Sequence, residues 1–112
     1  MGFAPEENVG PRFDVIRAAC EKTGRDPATL KLSSALVVCC ARTPEEVARK
    51  ADTLKLTINI PRERWLIGTP PEVVEKILRY RVLGAVRMYV QYLDFDDVET
   101  IQLLGEEVLP HI

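Results

Sequence analysis

Cys39, Gln91 and Tyr92 stand at the ends of two candidate strands, where side chains of their kinds could meet a small molecule. Gln91 can donate a hydrogen bond to a substrate or cofactor carbonyl. It can equally be a buried glutamine satisfied by backbone or water. Tyr92 and Asp94 fall at the same strand exit, where Asp94 suits a cap or loop carboxylate. Cys20, Cys39 and Cys40 are odd in number, and the adjacent pair must point to opposite faces of a strand. No second thiol or histidine pair stands at ligand spacing, so no metal is expected and the cysteines read as small buried hydrophobes. His111, the single histidine, lies one residue from the carboxyl terminus, and no Ser–His or His–carboxylate constellation accompanies it. Gly68-Thr-Pro-Pro is a helix start whose free amides can receive an anion, but no second glycine or lysine completes a phosphate loop. Trp65 beside Arg62 and Arg64 reads as a packed connector rather than a partner patch.

These side chains need a scaffold, and the sequence supplies one. Residues 1–10, with Pro5 and Gly10, read as a loose leader. A helix is expected from Pro11 to Thr23, with Phe13, Ile16 and Cys20 on one stripe and Gly24 at its end. Leu32 to Ala41 reads as a strand, and Leu36-Val-Val-Cys-Cys is apolar on both faces, as a covered parallel strand should be. Thr43-Pro-Glu-Glu and Thr69-Pro-Pro-Glu carry the Thr-x-x-Glu signature of a capped helix start. Glu45/Arg49 and Glu46/Lys50 then fall as surface pairs. In the second of these helices Val73, Val74, Ile77, Leu78 and Arg81 mark the inner side and edge, and Gly84 ends it. Lys55 to Ile60 alternates in the period of a strand, and Pro61 to Leu66 forms a connector or short helical turn. Val86 to Leu93 is the clearest strand, with Val86, Met88 and Val90 toward helices and Tyr89 and Gln91 toward the opposite, barrel-interior face. Asp96 and Glu99 open a last helix, lined by Val98, Ile101, Leu104 and Val108 and stopped by Pro110.

Alternating strands and helices predict an α/β fold with parallel strands and right-handed crossovers. The final α–β–α run is of the kind that closes a (β/α)8 barrel. Such a barrel takes about 250 residues, whereas this chain has 112. The expected fold is therefore the carboxyl-terminal portion of a TIM-type (β/α)8 barrel, with two or three parallel strands and flanking helices in one partial domain over 1–112. Chemistry in a barrel sits at the carboxyl ends of the strands, which here are Cys39-Cys40-Ala41 and Val90 to Asp94.

Composition narrows the partners. A formal charge of −2 gives no support to nucleic acid or an anionic membrane. No apolar run approaches the ~20 residues of a membrane span, and the amino terminus lacks a basic region and an apolar signal core. The expected location is the cytoplasm.

Gly68-Thr-Pro-Pro-Glu-Val-Val-Glu-Lys-Ile, followed by Leu83-Gly-Ala-Val-Arg-Met-Tyr-Val-Gln-Tyr-Leu-Asp, resembles the carboxyl-terminal region of the luciferase-like monooxygenase superfamily, in its coenzyme F420-dependent branch. Gly2-Phe, Arg17-Ala-Ala-Cys-Glu, Gly24-Arg-Asp-Pro-Ala-Thr-Leu and Ser34-Ala-Leu-Val-Val-Cys-Cys agree with it in the same register. The resemblance implies an oxidoreductase that moves a hydride or inserts oxygen with F420 or FMN, acting on a small-molecule substrate. It also implies that the main cofactor-binding strands lie outside this stretch. No cofactor residue is carried over, no tight cofactor binding is expected of the isolated chain, and Gln91, Tyr92 and Cys39 remain candidates to border a substrate pocket. The family places a helical connector where Lys55 to Ile60 alternates. Two other readings stand beside an inactive section of such an enzyme. One is a non-enzymatic module that forms a homodimer or docks a partner through exposed strand edges, and the other is a small enzyme with a pocket at a dimer interface.

Overall fold

The structure, a computed structural model, describes residues 2–112. Its centre is strand β1, Ser33–Cys40. The short strand β2, Leu66–Gly68, pairs parallel with β1 on one side, and β3, Arg87–Gln91, pairs parallel on the other. The sheet order is β2-β1-β3. Four α-helices flank it: α1 (Glu6–Lys22), α2 (Pro44–Lys55), α3 (Pro70–Leu83) and α4 (Val98–Leu103). The fold is α/β, with three parallel strands flanked by helices in the manner of part of a barrel wall. β1 and β3 are the adjacent long strands, and β2 is a short return of the chain on the far side of β1.

β1 is apolar on both faces because each face has its own cover. Leu36, Val38 and Cys40 join a core with Val9 and Phe13 of α1, Val73 and Tyr80 of α3, and Leu103 of α4. Val37 and Cys39 point the other way and pack with Ala51 of α2 and Trp65. Trp65 is fully buried, and its indole Nε1 donates to the Ile60 carbonyl at 2.9 Å. Burying a polar indole requires such a partner.

Several expectations are corrected. The leader is not loose: Gly2 bridges to Ala35, Ala4 and Val9 are buried, and α1 starts at Glu6, five residues before Pro11. Glu6 holds that start, because Arg79 of α3 donates to both its carboxylate oxygens at 2.6 and 3.2 Å. Lys55 to Ile60 is not a strand. α2 unwinds there, with the amides of Thr57 and Ile58 both donating to the Leu54 carbonyl. The alternation arises because Ile58 and Ile60 pack toward Trp65 while Leu56 points outward. The expected helical turn is present at Arg62–Arg64, and β2 after it is an element too short to show a period.

In α3 Val73, Lys76 and Tyr80 are buried, Val74 and Ile77 pack at the edge of the core as expected, and Arg81 is exposed. Lys76 is buried because its Nζ donates to the carbonyls of Trp65 at 2.7 Å and Glu63 at 3.2 Å, tying the helix to the connector. Gly84 ends α3 at φ 114°, a left-handed cap that side chains rarely adopt. α4 is capped by Asp97, one residue later than expected, so Thr100 and Leu103 turn inward while Val98 and Ile101 face outward. A wider π turn over Leu104–Val108 then brings Val108 back to the core.

β3 forms, but it is mostly exposed. Met88 packs on the helix side as expected, whereas Val86 and Val90, assigned to that side, are exposed, since among the described residues no strand pairs with the other edge of β3.

Candidate functional site

The chain leaves β1 and β3 toward opposite faces of the sheet. After β1 it enters α2, on the face of Val37 and Cys39. After β3 it enters α4, whose Leu103 belongs to the opposite core. A crevice opens where neighbouring strands diverge in this way, and ligands of open α/β sheets lie in such crevices at the carboxyl ends of the strands. Here the crevice measures about 480 Å³ and is lined by Cys39 and Cys40 of β1, Arg49, Lys50 and Leu54 of α2, and Tyr92, Asp94, Asp97 and Thr100 after β3, among others. That volume lies within the range of small-molecule sites.

A polar cluster crosses the crevice. Lys50 Nζ lies 2.8 Å from Asp97 Oδ2 and 2.8 Å from Thr100 Oγ1. The Thr100 hydroxyl donates to Asp97 Oδ2 at 2.6 Å, and the Thr100 amide donates to Asp97 Oδ1 at 3.2 Å. Asp97 therefore caps α4 and pairs with α2 through one carboxylate. Burial works to raise the Asp97 pKa, but the hydrogen bonds from Lys50 and Thr100 and the Lys50 charge outweigh it and leave the carboxyl below its ordinary value. Asp97 is ionised throughout the neutral range.

The two thiols and the phenol of the crevice are shifted toward inertness. Burial raises the Cys39 thiol, against the pull of Lys50 and Arg62. Burial pushes Cys40 up to about 11, with Cys39 adding to the effect. Nucleophilic chemistry needs the thiolate, so neither is poised for it at neutral pH. Tyr92 is raised by burial and then by Asp97, Asp94 and Asp96. Its hydroxyl is buried without a protein partner, and its ring meets Phe95 edge-on at 6.3 Å. Lys50 and Asp97 hold the two walls of the crevice together.

Cys39, Tyr92 and Asp94 all line the crevice. Gln91 does not: its register partner is Val37, so it shares the face of Cys39, but it lies exposed beyond the cover of α2. His111 is exposed at the far end of the chain. Sequence reasoning missed Lys50, Asp97 and Thr100. Lys50 reads as the helical partner of Glu46, yet its ion pair is with Asp97, 47 residues on by number. Asp97 is hidden behind its neighbour Asp96, and only the cap position would have separated them. Among the described residues no group of three His, Cys, Asp or Glu is placed to hold a metal ion, and no helix is long and apolar enough to cross a membrane.

No family model matches the sequence, and no curated protein does. Among solved structures the chain is similar to monooxygenase RslO1 from Streptomyces bottropensis, with a TM-score of 0.64 at 22% identity over 96% of this chain. The match covers 39% of that protein, so this chain spans about two fifths of its length.

Proposed function

We propose that this chain is the carboxyl-terminal section of a luciferase-like oxidoreductase that uses FMN or coenzyme F420, with the crevice as one border of its substrate site. The single observation that carries this reading is the alignment of nearly the whole chain with part of a monooxygenase in one continuous fold. The resemblance of the sequence to luciferase-like monooxygenases supplies the cofactor class in this reading. The crevice lies at the carboxyl ends of parallel strands, where barrel enzymes do their chemistry.

The residues present do not fit a whole cofactor. The Lys50 ammonium is committed to Asp97 and Thr100, and the crevice lining has no glycine-rich turn to cradle a phosphate. They fit the narrower role of a substrate wall, in which Tyr92, Leu54 and Leu93 offer apolar surface. Cofactor contacts fall to the part of such an enzyme that this chain does not contain.

The test is a fluorescence titration of the chain with F420 and with FMN, beside a chimera in which it replaces the matching section of RslO1. The reading expects weak or no binding by the chain alone and retained oxidoreductase turnover by the chimera. Micromolar binding by the chain alone would instead make it a compact enzyme. A folded but inactive chimera would favour the second reading, a non-enzymatic docking module, which the free edge of β3 supports.

A further inference from the structure

Most of the polar groups lining the crevice are already committed within the chain. Lys50, Asp97 and Thr100 satisfy one another, and the ion pair among them adds no net charge. On the α2 wall the Thr53 hydroxyl donates to the Arg49 carbonyl at 3.2 Å, and the Thr57 hydroxyl donates to the Leu54 carbonyl at 3.1 Å. A hydroxyl has one proton, so neither threonine keeps a donor for a ligand. Arg49, one turn before Thr53, is different. Its guanidinium lines the crevice, is exposed, and enters no ion pair among the described residues. Asp94 is its counterpart on the wall that follows β3. One of its oxygens, Oδ1, accepts the Asp96 amide at 3.1 Å, and the carboxylate is exposed and outside those same ion pairs.

We propose that the crevice takes a small zwitterion on an apolar frame, with the carboxylate of the ligand at Arg49 and its ammonium at Asp94. This deepens the reading of the crevice as a substrate border and rests on it. A guanidinium fork matches a carboxylate with two parallel hydrogen bonds, and an ionised carboxylate such as Asp94 can only accept, so it selects a cationic donor. With Lys50 and Asp97 cancelling each other, one free charge of each sign remains, and the complement is a ligand with one of each. A dianion would set its second charge against Asp94, and a dication would set one against Arg49. Leu54 and Leu93 supply the apolar surface for the frame. A crevice of about 480 Å³ is roughly 8 Å across, the span of a chain of about six carbons. Both charged walls belong to this chain, so the selection is built into α2 and the segment after β3.

Titration of the full chain with 6-aminohexanoate, hexanoate and hexylamine, followed by tryptophan emission and amide chemical shifts, tests it. Trp65 is the only tryptophan, and it shares its cluster with Cys39 and Leu54, which also line the crevice. The expected result is saturable binding in which the zwitterion exceeds either single-ended ligand about tenfold, the worth of one charged hydrogen-bonded contact. Arg49→Gln should weaken 6-aminohexanoate about tenfold and leave hexylamine unchanged, whereas Asp94→Asn should weaken it about as much and leave hexanoate unchanged. Both side chains are exposed, so the variants should keep the urea midpoint of the wild type. Absence of saturable binding, equal affinity for the three ligands, or variants that bind like wild type would each overturn the proposal. Its failure is distinct from that of the redox reading, because these ligands report charge selection without turnover. Selective binding beside a folded but inactive chimera sinks the enzyme reading, and an active chimera beside unselective binding sinks the zwitterion.

Discussion

β1 and β3 lie side by side in register, Leu36 against Val90 and Val37 against Gln91, yet they live in different environments. From Leu36 to Cys40, β1 is entirely buried. In β3 only Met88 is drawn partly into a core. Both sequences are rich in the residues that strands favour, so strand propensity does not separate them. What separates them is cover. β1 has a strand on each edge and helices on each face, whereas β3 has one strand edge open and no helix over Tyr89 and Gln91. Burial is a property of neighbours, and the sequence of a strand reports only what it could tolerate.

The largest effect should come from removing the cover. Trp65 is wholly buried between α2, Val37 and Cys39, so Trp65→Ala should cost about 3–5 kcal/mol in denaturant unfolding. It would open a cavity on the α2 face of β1, and a loss below about 1 kcal/mol would show that Trp65 does not hold that cover.

The register pair Leu36 and Val90 gives the sharper version. Leu36 is 1% exposed, and Leu36→Ala should cost about 2–5 kcal/mol. Val90→Ala, one strand away at the same level, should cost less than about 1 kcal/mol when measured on the monomer. Equal costs would mean that the two strands are covered alike.

β1 was readable because its covered length exceeds one strand period on both faces, so five apolar residues in a row admitted one interpretation. The helix starts were readable because capping chemistry is local: Thr43, Thr69 and Gly84 each act within a few residues. Lys55 to Ile60 misled because Ile58 and Ile60 pack on the Trp65 cluster at strand-like spacing, while Leu56, in the same period, stays outside it. The polar cluster was illegible for a different reason. Lys50 pairs across the fold with a residue 47 positions away, and on α2 alone it has a nearer carboxylate in Glu46. Gln91 shares the face of Val37 and Cys39, and a face read from alternation does not say whether a helix covers it.

The crevice joins the two regions, and Asp97 carries that joint. Asp97→Asn keeps a side chain able to cap α4 but loses the ion pair to Lys50. Its cost should fall near 1–2 kcal/mol at neutral pH, since the pair is only partly exposed and charged hydrogen bonds are lost. The sign of the pH dependence follows from the lowered carboxyl pKa. The stabilisation is fully present above the ordinary carboxylate value of 3.8 and is lost as pH falls through the lower folded value. Urea midpoints of wild type and Asp97→Asn should therefore differ at pH 7 and converge in acid. Midpoints that stay equally far apart below pH 3 would assign the loss to packing and leave the two walls joined by something else.

The smallest effect lies in two helix starts with the same motif. α2, which covers one face of β1, begins at Thr43, whose hydroxyl accepts the Glu46 amide at 3.2 Å. α3, on the opposite face, begins at Thr69, where the Glu72 carboxylate does the accepting: it takes the Thr69 amide at 3.1 Å and the Thr69 hydroxyl at 2.8 Å. These bonds hold the Glu72 carboxyl below its ordinary value. The Thr69 amide can keep its partner without the hydroxyl, whereas the Glu46 amide cannot. Thr43→Ala should thus cost about 1 kcal/mol, the usual loss of a cap, and Thr69→Ala distinctly less. Thermal melts of the two variants decide between them. The reverse order would mean that the threonine hydroxyl carries the start of α3 as well, so that one motif builds both covers of β1 in the same way.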